Sequence, residues 1–199
     1  MQFIVYAAFG ATAAGGAVYE MVRRQRARRR VAAGGSRLDD NALVTLRGTV
    51  HPGAGILIAP LSGQPCVAYR ACVRVYDPST RPRITVHERS ELAGFTLWSH
   101  AGPLPVEGDR LELSFKAREF RMRDNDRARA LVAALGLPYQ PDVTTCDEVI
   151  VAPGQTVTVH GVVRVVTVPA EHVDIDFRDA ARATRIVGDE HHPLVIADI

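Results

Sequence analysis

The chain has 199 residues, 47% of them hydrophobic and 23% charged, with a formal net charge of +2. That length accommodates one globular domain plus an anchor and excludes two ordinary enzyme domains. Acids and bases nearly balance, so the overall charge identifies no partner, but six arginines crowd between Arg23 and Arg30.

Phe3 to Val22 is an almost uncharged run, with Glu20 near its end. A helix of about twenty residues rises about 30 Å, which matches a bilayer's hydrocarbon core. The sequence therefore predicts one transmembrane helix within residues 1–22. Two readings compete: a cleaved signal peptide, because Ala11-Thr12-Ala13 resembles a small-residue cleavage site, although such peptides carry positive charge ahead of the apolar run and here it follows; and a soluble amphipathic helix, against which the run's lack of a polar face counts. Ala7 with Ala11 and Ala13 with Ala17 have the small-x-x-x-small spacing that permits close helix pairing.

Arg23, Arg24, Arg26, Arg28, Arg29 and Arg30 form a basic collar directly after this run. Arginines are retained on the cytoplasmic side, which predicts a single-pass protein with its following domain in the cytoplasm. The collar could also attract anionic lipid headgroups. A nucleic-acid partner is the weaker reading of the same charges, given their place against a membrane helix. Residues 23–42 read as collar and linker.

Residues 43–199 change to a period-two pattern. Val67, Tyr69, Ala71, Val73 and Val75 alternate with Arg70, Cys72 and Arg74, the pattern of a half-buried strand. Leu111, Leu113 and Phe115 repeat it, as do Val157, Val159, Val163 and Val165, with Gly161 marking a bulge or a close approach. Val173, Ile175 and Phe177 alternate with Asp174 and Asp176. Shorter strands are predicted over Leu43–Val50, Ile56–Ala59, Ile84–Glu88, Phe95–Trp98, Val149–Val151 and Leu194–Ala197. Ser62-Gly63-Gln64-Pro65, Glu107-Gly108-Asp109 and Pro153-Gly154-Gln155 supply turns. One helix is predicted over Asn125–Leu135, capped by Asp124 and closed by Gly136 and Pro138. The fold class is mainly β: a small barrel or sandwich of short antiparallel strands with one helix, behind one N-terminal transmembrane helix.

Chemistry is sparse. No phosphate loop, dinucleotide fingerprint, nucleophile elbow or H-E-x-x-H helix occurs. His191-His192 reads as a solvated turn and Asp174-x-Asp176 as a wet strand face. Trp98, the single tryptophan, is expected to pack in the core or at its rim. Cys66, Cys72 and Cys146 are read as reduced, partly buried thiols, with a Cys66–Cys72 disulfide as the alternative. No residue is assigned a catalytic, cofactor-binding or metal-binding role.

Several segments together resemble the GIDE family: Gly48-Thr49-Val50, Leu61 to Arg70, Asp147 to Val163, Arg185-Ile186-Val187-Gly188 and Pro193 to Ile196. The resemblance spans roughly Leu43–Ile199. The family is best known for a mitochondrial RING-type E3 ubiquitin ligase that joins a "beside-a-membrane" domain to a RING finger. A RING needs eight Cys/His ligands with C-x-x-C pairs, and the three cysteines here form no such pair. The resemblance thus implies a prokaryotic standalone form, a membrane-anchored binding module with a protein partner and no catalysis of its own. Ubiquitin ligase activity is the alternative by family name. The family-like residues that would form a binding surface are Ser62, Gly63, Pro65, Cys66, Tyr69, Arg70, Glu148, Pro153, Gly154 and Gly161.

Overall fold

A computed structural model describes residues 25–26, 29, 35–53, 55–76, 83–137, 140–167 and 182–198. The expected anchor Phe3–Val22, the collar residues Arg23, Arg24, Arg28 and Arg30, and the strand expected over Val173–Phe177 lie outside them. Arg26 and Arg29 are helical and exposed. Among the described residues no helix is long and apolar enough to cross a membrane.

In chain order the first strands are β1 (Leu43–Pro52), β2 (Leu57–Ile58), β3 (Pro65–Cys66), β4 (Ala68–Tyr76), β5 (Arg83–Leu92), β6 (Phe95–Ser99) and β7 (Gly102–Glu107). After them come β8 (Leu111–Ser114), β9 (Arg118–Arg121), helix α1 (Asp126–Ala134), β10 (Thr144–Val151), β11 (Thr156–Thr167), β12 (Arg182–Val187) and β13 (Leu194–Ala197).

Five of these strands close into a barrel. β1 pairs antiparallel with β11 from Leu43 to Thr49 and with β6 from Gly48 to Pro52. β6 then pairs antiparallel with β7, β7 runs parallel to β12, and β12 returns antiparallel to β11. Alternation along each strand sends Val44 and Leu46, Phe95 and Leu97, Val157 and Val159 into one shared core. β13 and β8 extend the sheet outward from β11.

Gly48 is the pivot, facing Val157 on one side and Ser99 on the other. A Cβ there would lie 2.3 Å from the Trp98 carbonyl oxygen. Gly161 serves the same end: β1 pairs through it without a register break, and a Cβ would lie 2.8 Å from Val187 O. Of the two roles its place in the sequence suggests, close approach is the one observed.

Two insertions into the ring build a second layer. The stretch between β1 and β6 supplies β4 and β5, and that between β7 and β11 supplies β9, α1 and β10. They meet in a sheet ordered β5-β4-β10-β9. One face of it packs Ala68, Val149 and Val151 into the barrel core. The other packs Tyr69, Ala71, Val73 and Cys146 against Ala128 and Val132 of α1. The sheet is therefore covered on both sides, and the β4 face that the alternation assigns to solvent is not solvated: Arg70 and Cys72 are buried. Charge on this face is met by charge, with Arg74 Nε 3.0 Å from Asp147 Oδ2.

The helix is capped by Asn125, whose side chain accepts from Ala128 N–H at 2.9 Å, and not by Asp124, which sits in the preceding 3-10 turn Met122–Asp124. Gly136 ends it at φ +65°, as the sequence predicts. All three thiols are free and fully buried, so no Cys66–Cys72 disulfide forms.

Because the obstacle to a Gly48 side chain is backbone, Gly48→Ala must part β1 from β6. A loss of more than about 2 kcal/mol is expected, measured by thermal or urea melts of the full chain. An unchanged melt would show that the ring closes without this contact.

Candidate binding face

The family-like residues divide between framework and surface. Glu148, on β10, is buried, and its carboxylate accepts two backbone hydrogen bonds, from Leu61 N–H at 2.7 Å and Ser62 N–H at 3.0 Å. Asn125 donates to Leu61 O at 3.2 Å. Gly63 follows with φ +69°, and a Cβ on it would meet the Arg127 guanidinium at 2.7 Å. Glu148, 86 residues beyond Ser62 in the chain, thus clamps the 59–65 loop to the sheet, and Asn125 ties the same loop to the helix start.

Cys66, Tyr69, Arg70 and Gly161 are buried, whereas Pro65, Pro153 and Gly154 are exposed. Pro153 and Gly154 form the β10–β11 turn, tied to the barrel by Gly154 N–H donating to Val50 O at 2.8 Å. That turn lies in a different part of the fold from the Glu148 clamp, since it docks on β1 of the barrel.

Burial dominates the titration of the inner groups. It pushes the Cys66 thiol from 9.0 up to about 11, with the nearby Glu148 and Glu91 charges adding to the effect. Cys146 rises likewise to about 11, through burial and then Asp147. Tyr69 rises from 10.0 to about 12 through burial and its 2.6 Å hydrogen bond to Glu91.

Among the described residues two large apolar side chains are more than half exposed, Ile58 and Trp98, and the second lies on the barrel's outer surface. Phe95 and Leu97 point inward, so Thr96 and Trp98 point out, and Trp98 is 56% exposed. It therefore belongs neither to the core nor to its rim. The His51 ring lies against it, with centroids 4.9 Å apart and planes tilted by 37°. The β1–β6–β7 register sets two rows across this face: Thr49, Trp98, Pro103, then His51, Thr96, Pro105. Thr96 and Pro105 also line an open cleft of about 310 Å³, whose charged lining side chains are Glu107 and Asp109. Glu107 accepts from Arg185 at 2.9 Å.

The neighbouring outer surface is closed. Thr158, His160 and Val162 of β11 are buried, and Thr45 Oγ1 lies 2.9 Å from His160 Nδ1. His191 and His192 sit in a polar turn as the sequence suggests, both backbone N–H groups donating to Asp189 Oδ1. Those bonds, the His192 one foremost, hold the Asp189 carboxyl below its ordinary range. Among the described residues no group of three or more His, Cys, Asp or Glu side chains could hold a metal ion.

Sequence reasoning missed Trp98 and His51 as a surface pair. The signal was present in the alternation Phe95-Thr96-Leu97-Trp98, where two inward apolar residues leave the tryptophan outside. Comparison with protein-family models, curated proteins and solved structures gives no match for this chain.

Glu148→Ala leaves two backbone donors without their charged acceptor and is expected to cost about 3 kcal/mol, with Glu148→Gln costing less; urea melts of the full chain measure both. A second expectation concerns pH. The fold raises the pKa of Cys66, Cys146 and Tyr69, so it favours their neutral forms. The stability they contribute is complete below about pH 9 and lost as pH climbs through 11 and 12. The melting temperature should fall over that window, and Cys146→Ala should flatten the fall; an equal fall in the variant would refute this assignment.

Proposed function

We propose that this chain is a membrane-anchored binding module of the GIDE type, without catalytic activity of its own, that docks a protein partner through the Trp98–His51 face of its barrel. The observation that carries the reading is Trp98 itself: 56% exposed, with the tilted His51 ring against it and Pro103 opposite on β7. Tryptophans in such positions dominate the energetics of protein interfaces, because they place a large apolar area at small cost in side-chain entropy.

Barrel topology supports the choice of face by analogy. Taking β1, β6, β7, β11 and β12 as first to fifth, the ring runs 1-2-3-5-4-1 with the third and fifth strands parallel. That is the order of the oligonucleotide/oligosaccharide-binding barrel, whose ligands lie across the second and third strands. Here those are β6 and β7, which carry Trp98, Pro103 and Pro105. The membrane anchor and the cytoplasmic side rest on the apolar run Phe3–Val22 and the collar Arg23–Arg30. The collar would add contact with anionic lipid. The absence of C-x-x-C spacing among Cys66, Cys72 and Cys146 favours a binding role over ubiquitin ligase chemistry.

A photo-crosslinking residue placed at Pro103 of the full chain in cells should capture a discrete partner. Trp98→Ala should weaken that capture about 30-fold, the scale of a 2 kcal/mol interface hot spot. The same crosslinker at exposed Glu190 should not capture it. Equal capture at both sites, or capture indifferent to Trp98→Ala, would sink the reading.

A further inference from the structure

We infer that the segment received by this face is an extended, cationic peptide, with its apolar or proline anchor on Trp98 and an arginine or lysine about four residues further on in the acidic cleft. This rests on the proposed docking role of the face and adds the chemistry of what docks there.

The inference follows from how β7 is laid out. Pro103, Pro105 and Glu107 are its exposed, outward residues, alternating with buried Leu104 and Val106. Along a strand at about 3.4 Å per residue, the track from Pro103 to Glu107 covers about 14 Å. Its start lies opposite Trp98, and its end opens into the cleft beside Asp109. The surface therefore changes character in one direction, from aromatic and proline to carboxylate. An extended or polyproline chain advances about 3.1–3.4 Å per residue, so about four residues match the track.

Charge decides between ligand classes. Nucleic acid binds through cations that displace counterions from phosphate. Both charged side chains lining the cleft are carboxylates; Arg185 offsets the charge of Glu107 at 2.9 Å, so the cleft's cation site is Asp109. A phosphate backbone entering the cleft would meet like charge, whereas a guanidinium or ammonium would meet its complement. Trp98 adds a second site of attraction for cations on its ring face.

Trp98 is the chain's single tryptophan, so its fluorescence reports occupancy of this face directly. The full chain in detergent micelles is titrated with a nine-residue peptide, Gly-Pro-Pro-Ser-Gly-Ser-Arg-Arg-Gly, and with the same peptide carrying Glu-Glu for Arg-Arg. A ten-nucleotide oligo-dT and a chitin tetrasaccharide complete the set. The arginine peptide should shift the emission and bind at least tenfold more tightly than the other three. Asp109→Lys should abolish that preference, with the melting temperature unchanged. The inference is overturned if oligo-dT, the tetrasaccharide or the glutamate peptide binds as tightly, if no probe binds, or if Asp109→Lys leaves the preference intact. In those cases continued Trp98-dependent crosslinking at Pro103 would show that the docking face stands and only the ligand class fails; loss of that crosslinking would remove the docking reading itself.

Discussion

The whole arrangement depends on β1 pairing with two strands at once. A five-stranded sheet closes only if one strand reaches both ends of the ring, and β1 hands over from β11 to β6 at Gly48 and Thr49. A side chain on Gly48 would enter the Trp98 backbone. Closure does two things at once. It removes the edges of those five strands, which would otherwise invite pairing with other chains. It also fixes which residues face out, because a single slip in register would turn Trp98 inward and Leu97 outward.

The second layer solves a different problem. Long insertions on either side of β6 and β7 must return to one place, and buried polar contacts hold them there. Glu148 ties the 59–65 loop to β10, and Arg74 meets Asp147 across the β4–β10 pair. Such contacts contribute little net stability relative to well-packed apolar groups, since both partners lose their hydration. Their effect is to exclude alternatives: a shifted β4–β10 register would strand a buried carboxylate or guanidinium. The family-like residues Ser62, Gly63 and Glu148 are explained by this geometry without any direct contact with a ligand.

Much of the fold was legible, because period-two alternation is a local signal. β4 and β11 follow it, β13 was expected from a short apolar run instead, and the turns at Gly63 and Gly154 have the positive φ their sequences imply. β7 escaped notice because Pro103 and Pro105 argue against a strand, yet both prolines point outward on the barrel surface. β12 escaped because Arg182-Ala183-Thr184-Arg185 has no apolar alternation, and its pairing is decided by β7 and β11. The burial of Arg70 and Cys72 could not be read locally either. An apolar–polar alternation predicts one wet face, and only the tertiary fold shows the barrel covering it. The Trp98 face was half legible: the pattern set its direction, but the neighbouring His51, 47 positions away, came into contact only through the β1–β6 register.

A lone exposed tryptophan would carry little weight, since more than half of any folded surface is apolar. The contrast between neighbouring strands gives it meaning. On β11 the outward residues Thr158, His160 and Val162 are buried. On β6 and β7 the outward residues Trp98, Pro103 and Pro105 are exposed, although they are the more apolar set. A chain under selection for solubility alone would place its polar residues on the open strands and its apolar ones on the covered strand. The reversed order is what the proposed docking role calls for: cover of the open strands by something that meets Trp98 on β6 and then proline and carboxylate along β7.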